Sequence, residues 1–356
     1  SHHTNYSTSR PWSRVSRRRW QNSTLNNPWE ISKTAWPVSQ NEALFLPDFK
    51  IQGDVSEKDF EVIASLKKGA FGRVFHIKKK DTGTEYAMKV LSKSKIIEDA
   101  GINQVKDEVK IQTMCGHNPF IAGCIFSWQN KKQLFIVSTY FEGGELFDLL
   151  QNYVILPEEL VKLYVAEISL ALDFLHNLGI IYRDLKLENI LLDNDGHTHL
   201  IDFGLSKWLK YGCRTNTICG TLQYMAPEIL NFSQPYGHAV DWWSLGVLAC
   251  LLLTGKYPSA TQQRVSLYIH RSQNENNEMN SLTSPFKDHQ CSPAANDLLQ
   301  RLLENDPQKR LKSLNSLKNI SFFKGFNFSE ARSKKVSPKE LLKKYFPQGP
   351  PSHNAN

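Results

Sequence analysis

The sequence predicts an α+β fold in two parts, a small β-rich part with one helix followed by a larger helical part. Short alternating apolar runs crowd residues 59–140. From Pro157 onward the apolar spacing becomes helical. A nearly unbroken apolar stretch, Trp242 to Leu253, falls short of the roughly 20 residues that a bilayer span needs, so it reads as a core helix. With 356 residues, 40% of them hydrophobic, the chain can bury a large core in two units of ordinary size, and disorder throughout is excluded.

The six cysteines, at 115, 124, 213, 219, 250 and 291, contain no CxxC pair and are too sparse for a disulfide framework. A reducing, cytoplasmic setting is expected, with a nuclear or membrane-associated pool left open. No secretory signal is visible, and because the chain begins with Ser no lipidation signal is read from its start. The formal charge is +8, with much of the excess at the ends: Arg10, Arg14, Arg17, Arg18 and Arg19 in front, and Lys334, Lys335, Lys339, Lys343 and Lys344 behind. Such ends can meet acidic proteins or anionic lipid. They carry no aromatic stacking platform or helical reading head, so no primary nucleic-acid role is expected.

Taken in order, residues 1–50 are rich in Ser, Asn, Arg and Trp without a sustained period and read as a mostly disordered basic extension. Two patches in it, Pro28–Ile31 and Ala43–Pro47, are apolar enough to dock back on the folded part. Phe60–Leu66, Gly72–Ile77 and Glu85–Leu91 read as three strands. Between the first two lies Lys67-Lys68-Gly69-Ala70-Phe71-Gly72, whose glycines let backbone amides approach phosphate oxygens. A helix is expected over Ile102–Met114 and a strand over Gln133–Tyr140. Pro157–Leu178 is a long amphipathic helix with acid in its first turn and Gly179 as its stop. Ile190–Leu192 and Leu200–Ile201 flank Asn194-Asp195-Gly196, a hairpin that returns Asp202 beside Asn189. Residues 259–295 are polar, with Asn274–Glu278 marking a flexible insertion, and helical patterning resumes over Ala294–Leu303.

The stretch with the most chemistry is Ile181–Asn189 followed by Asp202-Phe203-Gly204. It holds a base (Asp184), a cation (Lys186) and two metal ligands (Asn189 and Asp202) on one loop pair, and phosphoryl transfer needs those groups together. Each triplet alone is ordinary turn chemistry; their order and spacing are not.

These residues resemble the catalytic and metal-binding loops of eukaryotic protein kinases. The resemblance covers about 59–323 and implies the bilobal kinase fold, a β-rich lobe with one regulatory helix and a larger helical lobe. Tyr182, Cys219-Gly220-Thr221, Asp241-Trp242-Trp243 and Phe322-Phe323-Lys324-Gly325 are similar to the AGC group of Ser/Thr kinases, nearest its ribosomal-protein kinase branch. The resemblance implies that ATP is handled by Leu66, Gly69, Gly72, Val74, Ala87, Lys89, Thr139, Phe141, Glu145, Glu188, Asn189 and Asp202. Asn189 and Asp202 would carry magnesium, and Lys67 stands where the first loop glycine is usual. Catalytic roles pass to Asp184, Lys186, Lys89 and Glu108. Glu108 is chosen over Glu98 and Asp107 on its spacing to Cys115–Phe120. Ser138 takes the gatekeeper position, which implies a roomy adenine pocket. Thr217 matches a phosphosite for an upstream kinase, its phosphate ordering the segment against Arg183, and Thr221 helps position a Ser or Thr acceptor. Glu228 would pair with Arg310, and Asp241 would anchor the catalytic-loop backbone.

Glu145 and Glu188 match acids that receive substrate arginines, whereas Gln223 and Leu251 replace acids, so a weakened basic preference is expected. Residues 324–356 read as a short, truncated AGC-type tail whose only aromatic pair is Tyr345-Phe346. The expected activity is ATP- and magnesium-dependent phosphorylation of Ser/Thr in protein substrates. The alternative is a catalytically weak pseudokinase scaffold that binds nucleotide and partner proteins, favoured by Lys67 and the short tail.

Overall fold

A strand expected to alternate, Phe60–Lys68 (β1), pairs antiparallel with Gly72–Lys79 (β2) through two register slips, between Val62 and Ala64 and between Ser65 and Lys67. Each slip turns the following side chains to the other face. Val62, Ile63 and Leu66 stand 57%, 47% and 46% exposed, and of the strand only Phe60 is buried. The computed structural model describes residues 39–51, 55–69, 72–209, 212–230, 234–259, 261 and 291–351. Residues 1–38, Ala70-Phe71 and the centre of the expected insertion lie outside them.

The chain divides into two units. The first takes in the described residues up to Gly83, together with Met88–Ile102 and Phe126–Ile136; the second takes in Thr84–Ala87, Asn103–Ile125 and the chain from Val137 onward. Glu85–Ser92 (β3), Cys124–Gln129 (β4) and Gln133–Thr139 (β5) complete a sheet of order β1-β2-β3-β5-β4. In the first unit Trp128 stacks between Phe60 and Phe135, at 5.8 and 4.8 Å between ring centroids. Gly72 is required by this packing alone, since an added Cβ would fall inside the Val90 carbonyl on β3.

The expected disorder of residues 1–50 does not extend to its end. Gln40–Ala43 form a short helix (α1), and Phe45 and Phe49 are 0% exposed. Composition averages this apolar patch with the polar residues before it. Burying two phenylalanines contributes about 1.5–3 kcal/mol each, enough to offset the ordering of a few residues. The first patch, Pro28–Ile31, lies outside the described residues. Lys93–Glu98 (α2) and β4, neither expected from the sequence, are too short to show a period.

In the second unit, Ile102–Cys115 (α3) and Leu146–Tyr153 (α4) precede the long helix Glu158–Asn177 (α5). That helix ends at Gly179, whose φ of +73° gives the left-handed stop its sequence implied. Ile180–Ile181 (β6) follows, pairing with Lys207–Trp208 (β9), and Ile190–Leu192 (β7) forms the expected hairpin with Thr198–Leu200 (β8). Ala239–Thr254 (α6) is the apolar run, buried from Ala239 through Leu253, and it packs on α5 and on Pro293–Leu302 (α7). Three short helices, Leu314–Lys318 (α8), Phe328–Arg332 (α9) and Pro338–Tyr345 (α10), close the described chain against α5. Among the described residues no helix is long and apolar enough to cross a membrane.

Two features of α6 fix the segments packed around it. Its wholly buried Asp241 accepts from the backbone N–H of Tyr182 at 2.9 Å and of Arg183 at 2.8 Å, and its Oδ2 also meets His176 Nε2 at 2.8 Å. Farther along, Gly246 lets α7 approach closely. The Arg310 guanidinium, fully buried, forks onto Glu228 at 2.5 and 2.9 Å and also donates to the Ala239 carbonyl at 3.0 Å, as the sequence pairing implied.

A Cβ at Gly246 would lie 2.8 Å from Leu302 Cβ and 3.0 Å from Leu303 Cγ. Gly246→Ala gains about 1 kcal/mol of helix propensity, but overpacking at fixed atoms costs about 1–3 kcal/mol. We expect a lower melting temperature; a rise would show that α7 can retreat freely. Asp241→Asn turns an amide N–H toward two backbone donors, and leaving one of them unsatisfied costs about 1–3 kcal/mol. Its signature is faster hydrogen exchange at the Tyr182 and Arg183 amides, and unchanged exchange there would remove Asp241 from its anchoring role.

Candidate active site

The loop after β6 starts under strain. Arg183 and Asp202 are non-glycine residues with φ of +70° and +56°, in the left-handed region that ordinary side chains avoid. Asp241 holds the Arg183 amide, and the Arg183 Nε–H donates to the Leu205 carbonyl at 2.6 Å. At Asp202 the chain is held by the Ile201 N–H donating to Asn189 O at 3.0 Å and by the Gly204 N–H donating to Asp202 Oδ1 at 3.3 Å. Tyr182 joins the two strained points: it is buried, and its hydroxyl donates to the Ile201 carbonyl. Burial pushes that phenol well above its ordinary pKa, so it remains a donor.

Past Arg183 the geometry closes on one carboxylate. Asp184, 8% exposed, accepts from Lys186 Nζ at 2.8 Å and from Asn189 Nδ2 at 2.8 Å, both on Oδ2. Thr221 donates to Oδ1 at 3.0 Å, and Lys186 Nζ also reaches Thr221 Oγ1 at 3.0 Å. A short 3₁₀ turn, Leu187–Asn189, aims Asn189 back at the loop, where its amide also donates to the Asp184 carbonyl at 2.9 Å. Asp184, Lys186, Asn189 and Thr221 thus meet in one cluster. Glu188, on the same turn, stands apart: its Oε2 is buried without a hydrogen-bond partner.

Glu108 is buried on α3. A Cβ on Gly204 would come within 3.5 Å of its Oε2 and 3.1 Å of Asp202 Oδ1, so this carboxylate lies beside the Asp202-Phe203-Gly204 turn. Thr139 ends β5, and the segment after it lies along the hairpin. Gly143 N–H donates to Leu192 O at 3.0 Å, Leu192 N–H donates to Gly144 O at 2.9 Å, and Glu145 bridges Leu191. Phe141 stacks on His199 of β8 with centroids 4.0 Å apart. Phe141 and Glu145 are thereby fixed to the hairpin that starts at Asn189. Leu66, Gly69, Gly72, Val74 and Lys89 lie on or between β1, β2 and β3, with Ala87 on β3 two residues before Lys89. The Gly69 N–H donates to Gly72 O at 2.9 Å across the turn, and Lys67 pairs with Val74 in the strand register.

The segment around Thr217 is tethered by Tyr236 and Lys207, neither of which the sequence marked, and Arg183, which it did, reaches the Tyr236 hydroxyl. Tyr236 donates its hydroxyl to Thr217 O at 2.5 Å, and Arg183 Nη1 reaches the same hydroxyl at 3.5 Å. Lys207 Nζ donates to Thr215 Oγ1 at 3.1 Å, and Thr215 Oγ1 lies 3.3 Å from Thr217 Oγ1. Two cations therefore stand near an exposed threonine. Nothing local in Gln234-Pro235-Tyr236-Gly237 marks Tyr236 as more than a turn aromatic.

Comparison with known proteins agrees with this geometry. A model described as "Protein kinase domain" matches residues 60–323. The chain is 39% identical over 294 residues to the human "Ribosomal protein S6 kinase-related protein", covering 82% of this chain and 69% of that one. It is 42% identical over 316 residues to the "RAC family serine/threonine-protein kinase homolog" of Dictyostelium discoideum, covering 87% and 69%. With a catalytic-loop cluster of this kind and a family match over most of its length, the chain belongs to the protein kinase family, in keeping with its AGC-group resemblance.

Proposed function

We propose that this chain transfers the γ-phosphoryl group of magnesium-bound ATP to Ser or Thr hydroxyls of protein substrates. The observation that carries the reading is the single cluster on Asp184, in which a buried carboxylate faces an ammonium group, an amide and a hydroxyl at 2.8–3.0 Å. An acceptor hydroxyl approaching Asp184 is oriented by its carboxylate and gives up its proton there. Lys186, already within reach of both Asp184 and Thr221, offsets the negative charge that builds on the transferred group. Thr221 positions the acceptor, which favours Ser and Thr, and the names of the relatives support that specificity.

The residues present fit magnesium. The Asn189 amide nitrogen is committed to Asp184, which presents its carbonyl oxygen as the ligating atom, and Asp202 supplies a carboxylate; magnesium takes such hard oxygens with one or two carboxylates and substrate phosphates. When bound, the ion neutralises charge on the phosphates. Lys89 is the residue for the α- and β-phosphates in this reading, and Glu108, beside Gly204, keeps the catalytic role that the resemblance implies. Leu66, Gly69, Gly72, Val74, Ala87, Thr139, Phe141, Glu145 and Glu188 are the remaining nucleotide contacts in this reading, and Ser138, half-buried on β5, leaves room at the adenine edge.

The substrate class is a protein segment with a basic residue near the acceptor. Glu188 is the acid assigned to receive it, and its buried Oε2 has no hydrogen-bond partner within the chain. Gln223 is exposed and Leu251 is buried in α6, so neither adds an acidic contact and the preference is modest. Activation passes through Thr217, phosphorylated by an upstream kinase. The phosphate adds about −2 charge and three acceptors beside Arg183 and Lys207. A scaffold that binds nucleotide without turnover is the competing reading; against it, the sequence retains all the reacting groups that such a scaffold would dispense with.

The test is γ-phosphate transfer to a mixed Ser/Thr peptide library after treatment with an upstream activating kinase. Asp184→Asn should lower turnover about 10²–10⁴-fold while nucleotide still binds, and Thr217→Ala should remove the activation step. Absence of transfer from the native chain with ATP bound would give the protein to the scaffold reading. An ATP analogue enlarged at the adenine edge should bind the native chain better than Ser138→Met.

A further inference from the structure

Phe141 is among the nucleotide contacts of the proposed reading, yet the backbone pairing of its segment with β7 begins two residues later, at Gly143. Among the described residues the Phe141 N–H makes no hydrogen bond. That group is open to a ligand, and it has no backbone restraint of its own. The tie at Phe141 is a ring stack on His199, with centroids 4.0 Å apart and ring planes 26° apart.

A polar ring in a three-residue hairpin strand costs least when it faces water, but His199 is 8% exposed. Its backbone is fixed on both sides. His199 pairs with Leu191 in β7, and the next residue, Leu200, donates its N–H to Phe120 O and accepts from the Ala122 N–H, each at 2.9 Å. The ring is fixed at its edge. Nε2 lies 3.0 Å from Asp193 Oδ2 and 3.1 Å from Lys334 Nζ, and those two charged groups meet each other at 2.9 Å. The Lys334 ammonium also stands 5.6 Å from the Phe120 ring centre. Burial lowers the His199 pKa against the opposing hydrogen bond to Asp193, so the ring is neutral at neutral pH. A neutral ring either donates from Nε2 to Asp193 or accepts there from Lys334, and each choice sets the same ring plane. The face turned to Phe141 is therefore a fixed surface.

We propose that His199 is a positioning residue for the nucleotide: its edge-locked ring holds the Phe141 side chain, and through it the open Phe141 N–H, where that group meets the base of ATP. His199 itself touches neither nucleotide nor protein substrate. The inference rests on the nucleotide-binding part of the proposed function. An aromatic stack of this kind is worth about three- to tenfold in affinity, so losing the ring should weaken ATP binding by that factor and leave the reacting groups around Asp184 as they are.

The test compares the native full chain with His199→Ala, His199→Phe and Phe141→Ala, by titration with ATP and magnesium and by peptide phosphorylation. His199→Ala should raise both the Kd and the KM for ATP about three- to tenfold, with kcat at saturating ATP and the KM for peptide within about twofold of native. His199→Phe keeps the ring face and should recover most of the lost affinity. Phe141→Ala should match His199→Ala, and the two combined should lose no more than either alone, because both remove one contact. An unchanged Kd in His199→Ala, an equal loss in His199→Phe, losses that add, or a fall in kcat with Kd unmoved would each overturn the positioning role. The expected binding pattern without peptide phosphorylation would sink the phosphotransfer reading and leave His199 its role, whereas a native chain that binds no ATP would overturn both. Should His199→Ala not fold, His199→Leu fills the space without a flat ring: a Kd for ATP raised about threefold or more supports the role, and an unchanged Kd overturns it.

Discussion

The carboxylate of Asp241 must satisfy two consecutive backbone N–H groups from inside a helix that is buried on every side, and this requirement sets the path of the catalytic loop. To present both amides to one side chain, the chain turns left-handed at Arg183. Such a conformation costs about 1–2 kcal/mol for a residue with a Cβ. Each hydrogen bond to a charged acceptor contributes about 1.5–3 kcal/mol, so the pair outweighs the strain. The strained turn points Asp184 away from α6 and toward Lys186, Asn189 and Thr221, and Tyr182 carries the same constraint to Ile201, the residue before the second left-handed position at Asp202.

Within the second unit this explains how a few short pieces without regular structure hold a defined geometry. The 3₁₀ turn Leu187–Asn189 has too few hydrogen bonds to be stable alone. It persists because Asn189 is bonded twice to Asp184, while β7 and β8 leave the turn already paired with each other and with the segment after β5. The loop is positioned from both sides, by α6 through Asp241 and by the hairpin through Asn189. The segment around Thr217 is held by a backbone bridge between Thr215 and Tyr236, by the Tyr236 hydroxyl and by Lys207.

Much of this was legible in the residues because the chemistry is local in sequence. Asp184, Lys186 and Asn189 fall within one turn and a loop, and the Asn194-Asp195-Gly196 hairpin brings Asp202 back by ordinary turn geometry. The long helices α5 and α6 were equally plain, one from its period and the other from its apolar length. What escaped was whatever depends on a partner far away in the chain. Gln129 and Lys93 look like surface polar residues until residues 39–50 lie over them, and Tyr236 acquires a role only because the chain returns beside Thr217. The alternation read into β1 failed for a related reason, since register slips are set by the neighbouring strand.

The basic C-terminal residues show the same dependence on distant partners, and they change what the net charge means. In the sequence, five lysines between 334 and 344 suggest a patch open to acidic partners. In the fold, Lys334 bonds Asp193 at 2.9 Å and reaches His199, Lys344 meets Glu159 at 3.0 Å, Lys343 meets Glu340 at 3.2 Å, and Lys335 stands 3.7 Å from Glu330. Lys339 turns to the Asn194 carbonyl at 3.2 Å, and its N–H donates to Asp195 O. Burial alone would raise the Asp193 carboxyl; hydrogen bonds from His199, Lys334 and the His197 N–H together hold it well below the usual carboxylate range. Pairs this exposed are individually worth little in stability, yet each cancels a charge where it stands. Lys344 thus fastens α10 to α5, and Lys334 and Lys339 fasten the tail to the hairpin turn at the end opposite Asn189, while Lys335 and Lys343 pair within the tail. An attraction to acidic proteins or anionic lipid would then draw mainly on the arginines of the first twenty residues, and the C-terminal lysines serve the fold.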